Sequence, residues 1–282
     1  MSERLDAALQ RVIADACLEA RAGEAIARDL RGWLEERGVP ADDVEAILAA
    51  PPRLGVYRSL VRNGLSSVVL RMLPRTRARM NAACAGRFDA DLAAFVDEVG
   101  PRTHYLRDVP AEYVAWAEPR WRADARVPAY LPDLATHELT QFAVGAAAPA
   151  SDVPALAEVA LDRPLAFLDS TRLVHHGWAV HELPAGDEST GEPARRDVHL
   201  LAYRDADHIV RWLELTPLAS AILARLLAGD PLGDAVEHAC ADATTTPAAV
   251  LPDMARLLAD LGERGVLLGA RGRSSGSPPA PR

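Results

Sequence analysis

Histidine and cysteine are the side chains here best suited to holding a metal or attacking a substrate, and their spacing tests both roles. In RLVHHGWAVHEL, a β-strand would place His175 and His181 on one face, because residues two, four and six apart share a face. Zinc or iron needs a third and fourth ligand, and nothing nearby stands at a recognised ligand spacing. His137-Glu138 falls in a helical stretch, yet HELTQ lacks the second histidine of a zincin helix. Cys17, Cys84 and Cys240 are odd in number and far apart, which fits buried thiols rather than a disulfide framework or zinc site. Nucleophile elbow, phosphate loop and glycine-rich dinucleotide fingerprint are all missing. These patterns give no catalytic residue, no metal site and no cofactor.

Recognition is better represented. The segment PAAVLPDMARLLADLGERG opens on Ala248, Ala249, Val250, Leu251 and Asp253, with an apolar stripe and no strong donor. A helix that reads DNA needs base-edge donors near its start and cations for the phosphates. An extended peptide suits this helix better, added as a strand to an exposed sheet edge, with apolar pockets setting its register. Ile209, Arg211 and Leu213 on the strand HIVRWLEL, with Leu251, Met254 and Leu258 on the helix, form the expected peptide groove. A second surface lies between Ala46 and Phe88, where eight arginines occur and no acid. Arg58 and Arg62 are one helical turn apart and share a face. They are expected to dock an acidic partner protein, with binding that weakens as salt rises.

These residues must be positioned by two kinds of structure. Residues 1–145 carry helical periodicity: Leu5, Leu9, Val12, Ile13 and Cys17 recur on one face, as do Tyr57, Leu60, Val61, Leu65, Val68 and Met72. Further amphipathic stretches run from Asp89 to Glu98 and from Tyr130 to Val144, with Pro101 and Pro110 marking turns. An antiparallel bundle buries such stripes economically. Residues 146–163 read as a linker, with ALAEVAL as a short helix within it. From Pro164 the pattern turns to strands: LAFLD, RLVHHGWAVHEL, VHLLAYRD and HIVRWLEL, with a polar loop PAGDESTGEPARRD after the second. Three helices follow, announced by Thr216-Pro217, Asp230-Pro231 and Thr246-Pro247, each an N-cap oxygen before a proline at the first helical position. Gly229 and Gly265 stand at C-cap positions. With a closing VLL, residues 164–270 read as a winged-helix-like α+β module, and 271–282 as a disordered tail. The fold class expected is mainly α, in two domains.

Composition narrows the setting. The chain has 282 residues, all its basic residues are arginine, and its net charge is −9, so it has no general attraction to nucleic acid or anionic membrane. No run approaches the about 18 to 20 apolar residues of a membrane span, and the N-terminus lacks signal-peptide character. A cytoplasmic location is expected.

The segment LGVYRSLVRNGLSSVVLRMLP, then RFDADLAAFVDEVGPRTHYLRDVPAEYVAW and PAYLPDLATHELTQF, resembles the N-terminal helical domain of HvfC/BufC-type proteins. That domain is often named for DNA binding. Tyr57, Arg58, Leu65, Pro74, Tyr105, Leu106, Tyr130, Leu131, Asp133, Leu134, Ala135 and Glu138 carry the likeness, with Pro128-Ala129-Tyr130 and Ser66-Ser67 departing from the pattern. The likeness covers residues 1–145 and, more loosely, 164–270. It implies a non-catalytic partner, distantly similar to the methanobactin protein MbnC, that accompanies a multinuclear non-heme iron oxidative enzyme. Its C-terminal half would be a RiPP recognition element that presents a ribosomally made precursor peptide, with the iron held by the enzyme. Together with the arginine patch it points to Tyr57, Arg58, Arg62, Tyr130, Asp133 and Glu138 as the docking residues. A winged-helix transcription regulator that binds DNA is the alternative.

Overall fold

A computed structural model describes residues 2–19, 21–49, 52–148, 156–184, 186 and 191–271. Residues 149–155 of the expected linker, part of the polar loop (185 and 187–190) and the tail from 272 lie outside the described residues. The chain is mostly helical, with a small C-terminal α+β region of antiparallel strands. It divides into two compact units, residues 1–139 with 183–192, and residues 140–182 with 193–282.

The first unit is helical. Short helices α1 (Ser2–Leu18), α2 (Ala22–Arg28), α3 (Leu30–Glu36) and α4 (Ala41–Leu48) bury Val12, Ala16, Trp33, Leu34 and Val44 together. Next come α5 (Pro52–Met72) and α6 (Pro74–Ala83), whose first residue is Pro74, where a missing N–H costs nothing. Helices α7 (Arg87–Glu98) and α8 (Val109–Ala123) interlock through Phe88, Phe95, Tyr113 and Trp121, with ring centroids 5.3 to 6.4 Å apart. The Trp121 indole N–H donates to Asp91 at 3.0 Å, which satisfies both polar groups inside this apolar cluster. Pro110 does not mark a turn; it is the second residue of α8. Helix α9 (Leu131–Gly145) begins in this unit.

The second unit holds two three-stranded antiparallel sheets. One has the order β1-β6-β2, from β1 (Leu156–Ala157), β2 (Leu165–Phe167) and β6 (Leu267–Arg271). The other has the order β3-β4-β5, from β3 (Arg172–Trp178), β4 (Arg195–Arg204) and β5 (Val210–Leu215). Helices α10 (Pro217–Ala228), α11 (Leu232–Asp242) and α12 (Pro247–Glu263) lie between β5 and β6 in sequence and share one core with Leu165, Leu201, Tyr203 and Leu267. Strand parity divides the second sheet: Leu201, Leu213 and Leu215 face that core, while Val198, Leu200 and Trp212 form a smaller cluster on the other face.

Three expectations change here. Within ALAEVAL, Leu156–Ala157 form strand β1, paired with β6, and residues 158–161 are irregular, where a helix was expected. His181 is not on the strand with His175; β3 ends at Trp178, and His181 sits in a 3-10 turn (Val180–Glu182). The three N-caps differ. Thr216 caps α10 by accepting the Ala219 N–H at 3.2 Å, whereas Thr246 makes no side-chain cap bond. At α11 the cap position is Pro231, and Asp230 pairs with Arg225 at 3.0 Å.

Candidate functional site

Helix α12 buries Met254, Leu258 and Leu261 at spacings of four and three, so one apolar stripe faces the core. Beside that stripe Leu251, Ala255, Ala259 and Gly262 form one wall of an open groove of about 590 Å³. Leu267, Leu268 and Gly269 of β6 form the second wall, and Val159, Leu161 and Leu232 close the rim. Every lining residue is apolar.

The groove stays open because of how the chain leaves β1. That strand pairs with β6 only at Leu156 to Arg271 and Ala157 to Ala270. The chain then peels away, and the Leu161 and Arg163 carbonyls accept the N–H groups of Gly233 (2.8 Å) and Leu232 (3.3 Å). These are orphan donors of the first turn of α11, which has no side-chain cap, so the backbone of 161–163 does the capping. Gly233 permits the approach, since a Cβ there would lie 3.2 Å from the Leu161 oxygen. As a result, among the described residues, Leu267 and Gly269 pair with β2 and not with β1. Residues of the sheet edge and the apolar wall of α12 therefore line one slot.

The structure divides the expected peptide-binding residues. Leu251, Met254 and Leu258 line this groove. Ile209, Arg211 and Leu213 do not. Leu213 packs into the core, Arg211 pairs with Asp205 at 2.6 Å, and Ile209 stands exposed beside the hairpin turn whose Asp205 carboxylate accepts its N–H at 2.8 Å. The reason is register: β5 belongs to the sheet with β3 and β4, and the strand beside α12 is β6. The arginine beside Asp205 holds that carboxyl below the usual range.

The expected docking residues also separate. Tyr57 is exposed on α5, next to exposed Val56 and Leu60, and the turn carrying exposed Tyr105 and Leu106 packs on the same helix. Arg58 and Arg62 do share a face, but both reach Asp97, at 3.7 and 2.7 Å, so one carboxylate offsets part of their charge. Tyr130 and Glu138 are buried and serve the unit's interior. The Glu138 carboxylate accepts the Arg75 N–H (3.0 Å), the Thr76 N–H (3.0 Å) and the Thr76 hydroxyl (2.7 Å), capping the N-terminus of α6 from α9. Asp133 is half-buried in the first turn of α9.

Among the described residues, His181, Glu182 and Glu214 have donor atoms close enough for one cation. Arg196 already occupies both carboxylates at 2.6 Å, so the cluster is neutralised by the protein itself. Sequence reasoning missed the groove wall made by Ala255, Ala259 and Gly262. Their spacing of four and three on α12 was the available signal, but its meaning depended on which strand lay opposite.

Residues 169–262 match the HvfC C-terminal domain family. The match falls on the half where the sequence likeness is looser. No curated protein matches the chain.

Proposed function

We propose that this chain, which carries an HvfC-type C-terminal domain over residues 169–262, is a non-catalytic cytoplasmic partner of a multinuclear non-heme iron oxidative enzyme, and that it presents a ribosomally made precursor peptide to that enzyme. The observation that carries the reading is the slot between α12 and the one-sided edge of β6. An extended peptide entering it gains backbone hydrogen bonds from the strand edge and buries alternate apolar side chains against α12. Residues 164–270 act on this reading as the RiPP recognition element, and residues 1–145 carry the face for the enzyme. Iron stays with the enzyme.

DNA fits this face poorly. Arg256 is the cation on the exposed side of α12, and it pairs with Asp253. Phosphates would meet an apolar wall there and lose solvation without compensation.

The test is co-expression of the chain with the enzyme and its precursor peptide, followed by calorimetry with the purified peptide. Ala259→Glu places a carboxylate on an exposed groove wall without touching the core. It is expected to weaken peptide binding by about tenfold or more, since burying an unpaired charge costs at least the about 1.4 kcal/mol that factor represents. Helix content and melting should stay as in the parent. Full affinity in Ala259→Glu, or no complex at low salt, would overturn the reading. Nanomolar, steeply salt-dependent binding to duplex DNA would replace it with the regulator.

A further inference from the structure

The geometry points to a second ligand site on the other sheet: a divalent transition-metal ion held between His175 and His199, with Asp197 as a third donor. His175 on β3 stands directly opposite His199 on β4. Asp197 and His199 are two residues apart on one strand, so all three side chains rise from the same face. The imidazole centroids are 4.6 Å apart with their planes tilted by 31°, and His175 Nε2 lies 3.4 Å from Asp197 Oδ1. The three donors do not all lie within 4.8 Å of one another as they stand, so closing on one ion at the about 2.0 to 2.1 Å that zinc requires would need the two rings to turn about their Cβ–Cγ bonds.

Its surroundings favour occupation. His175 and Asp197 are exposed, so water completes the coordination and entry is unobstructed. The nearest cation on this face, Arg195, is drawn over the Trp178 ring, with its carbon 5.8 Å from the centroid. Two imidazoles and a carboxylate suit a borderline ion such as Zn²⁺, Ni²⁺ or Cu²⁺ over Mg²⁺ or Ca²⁺. The His181 cluster lies on the opposite face with Arg196 seated on its carboxylates, so it competes poorly for the same ion.

Titration of the tag-free full-length chain with ZnCl₂ tests the site. One ion per chain is expected. His175→Ala and His199→Ala should each weaken binding by about tenfold or more, as loss of one of three donors implies. Asp197→Asn should weaken it less, and His175→Gln should repeat the effect of alanine with circular dichroism unchanged. Three results would overturn the assignment: no binding at millimolar zinc, binding that survives both histidine variants, or binding abolished by His181→Ala. None of them bears on the peptide groove.

Discussion

His176 and Glu138 are both buried and titratable, and they respond to acid in opposite directions. Burial pushes the His176 pKa down to about 4, with the nearby His181 and His175 adding to the effect. As pH falls below the unfolded value of about 6.5, the unfolded chain takes up a proton that the folded chain refuses, so stability is lost between about 6.5 and about 4. The difference of about 2.5 units corresponds to at most about 3 kcal/mol. Glu138 runs the other way. Burial raises its pKa despite three donated hydrogen bonds, so the folded chain holds its proton more tightly and stability declines as pH rises through that raised value. Denaturant unfolding of the parent and His176→Gln across pH 4 to 7 separates the two. The parent should lose stability in acid relative to the variant, and parallel curves would show that His176 does not titrate on unfolding.

The helix starts of the second unit differ in what holds them, and the cost of removing each cap should differ accordingly. Thr216→Ala removes the acceptor for the Ala219 N–H and should cost about 1 kcal/mol. Thr246→Ala removes no such bond and should cost a few tenths of a kcal/mol at most. Equal losses in urea unfolding would refute the distinction. The sequence displays Thr-Pro at both places, which is why both were legible as helix starts and why their strengths were not. The same limit applied to the groove. The apolar period of α12 identified its buried stripe, and Leu251, Met254 and Leu258 were found from that period alone. In the sequence HIVRWLEL is the last strand before the helices, which makes it the expected partner of that stripe. Strand β6 is short, Gly-bearing and placed after α12, and its pairing with β1 and β2 joins residues 100 to 115 apart in sequence. A separation of that size leaves no local periodicity to read. The burial of Glu138 and Tyr130 was hidden for a similar reason, since only the packing of α9 against α6 decides it.

For the whole molecule, the proposed function raises the question of what kind of force would join the chain to an oxidative enzyme. Eight arginines between Ala46 and Phe88 suggested electrostatic docking. In the folded unit at least four of the eight are held in ion pairs: Arg58 and Arg62 share Asp97, Arg77 pairs with Asp89, and Arg87 with Asp91 and Asp124. What α5 offers instead is apolar, with Leu60 63% exposed beside Tyr57 and Val56. Side chains three and four apart on a helix form one continuous patch, and three large apolar residues left in water make a better anchor than matched ion pairs. Docking of the enzyme through this face should therefore change little between low and moderate salt. Leu60→Asp should weaken it by about tenfold or more, because the enzyme must then bury a carboxylate without a partner. Arg62→Glu should cost less at the interface and more in stability, since it sets two acids together where one pair now stands. Sedimentation or calorimetry of the two-protein complex at 50 and 300 mM salt distinguishes the cases. Steep salt dependence with a tolerated Leu60→Asp would return the interface to the arginines.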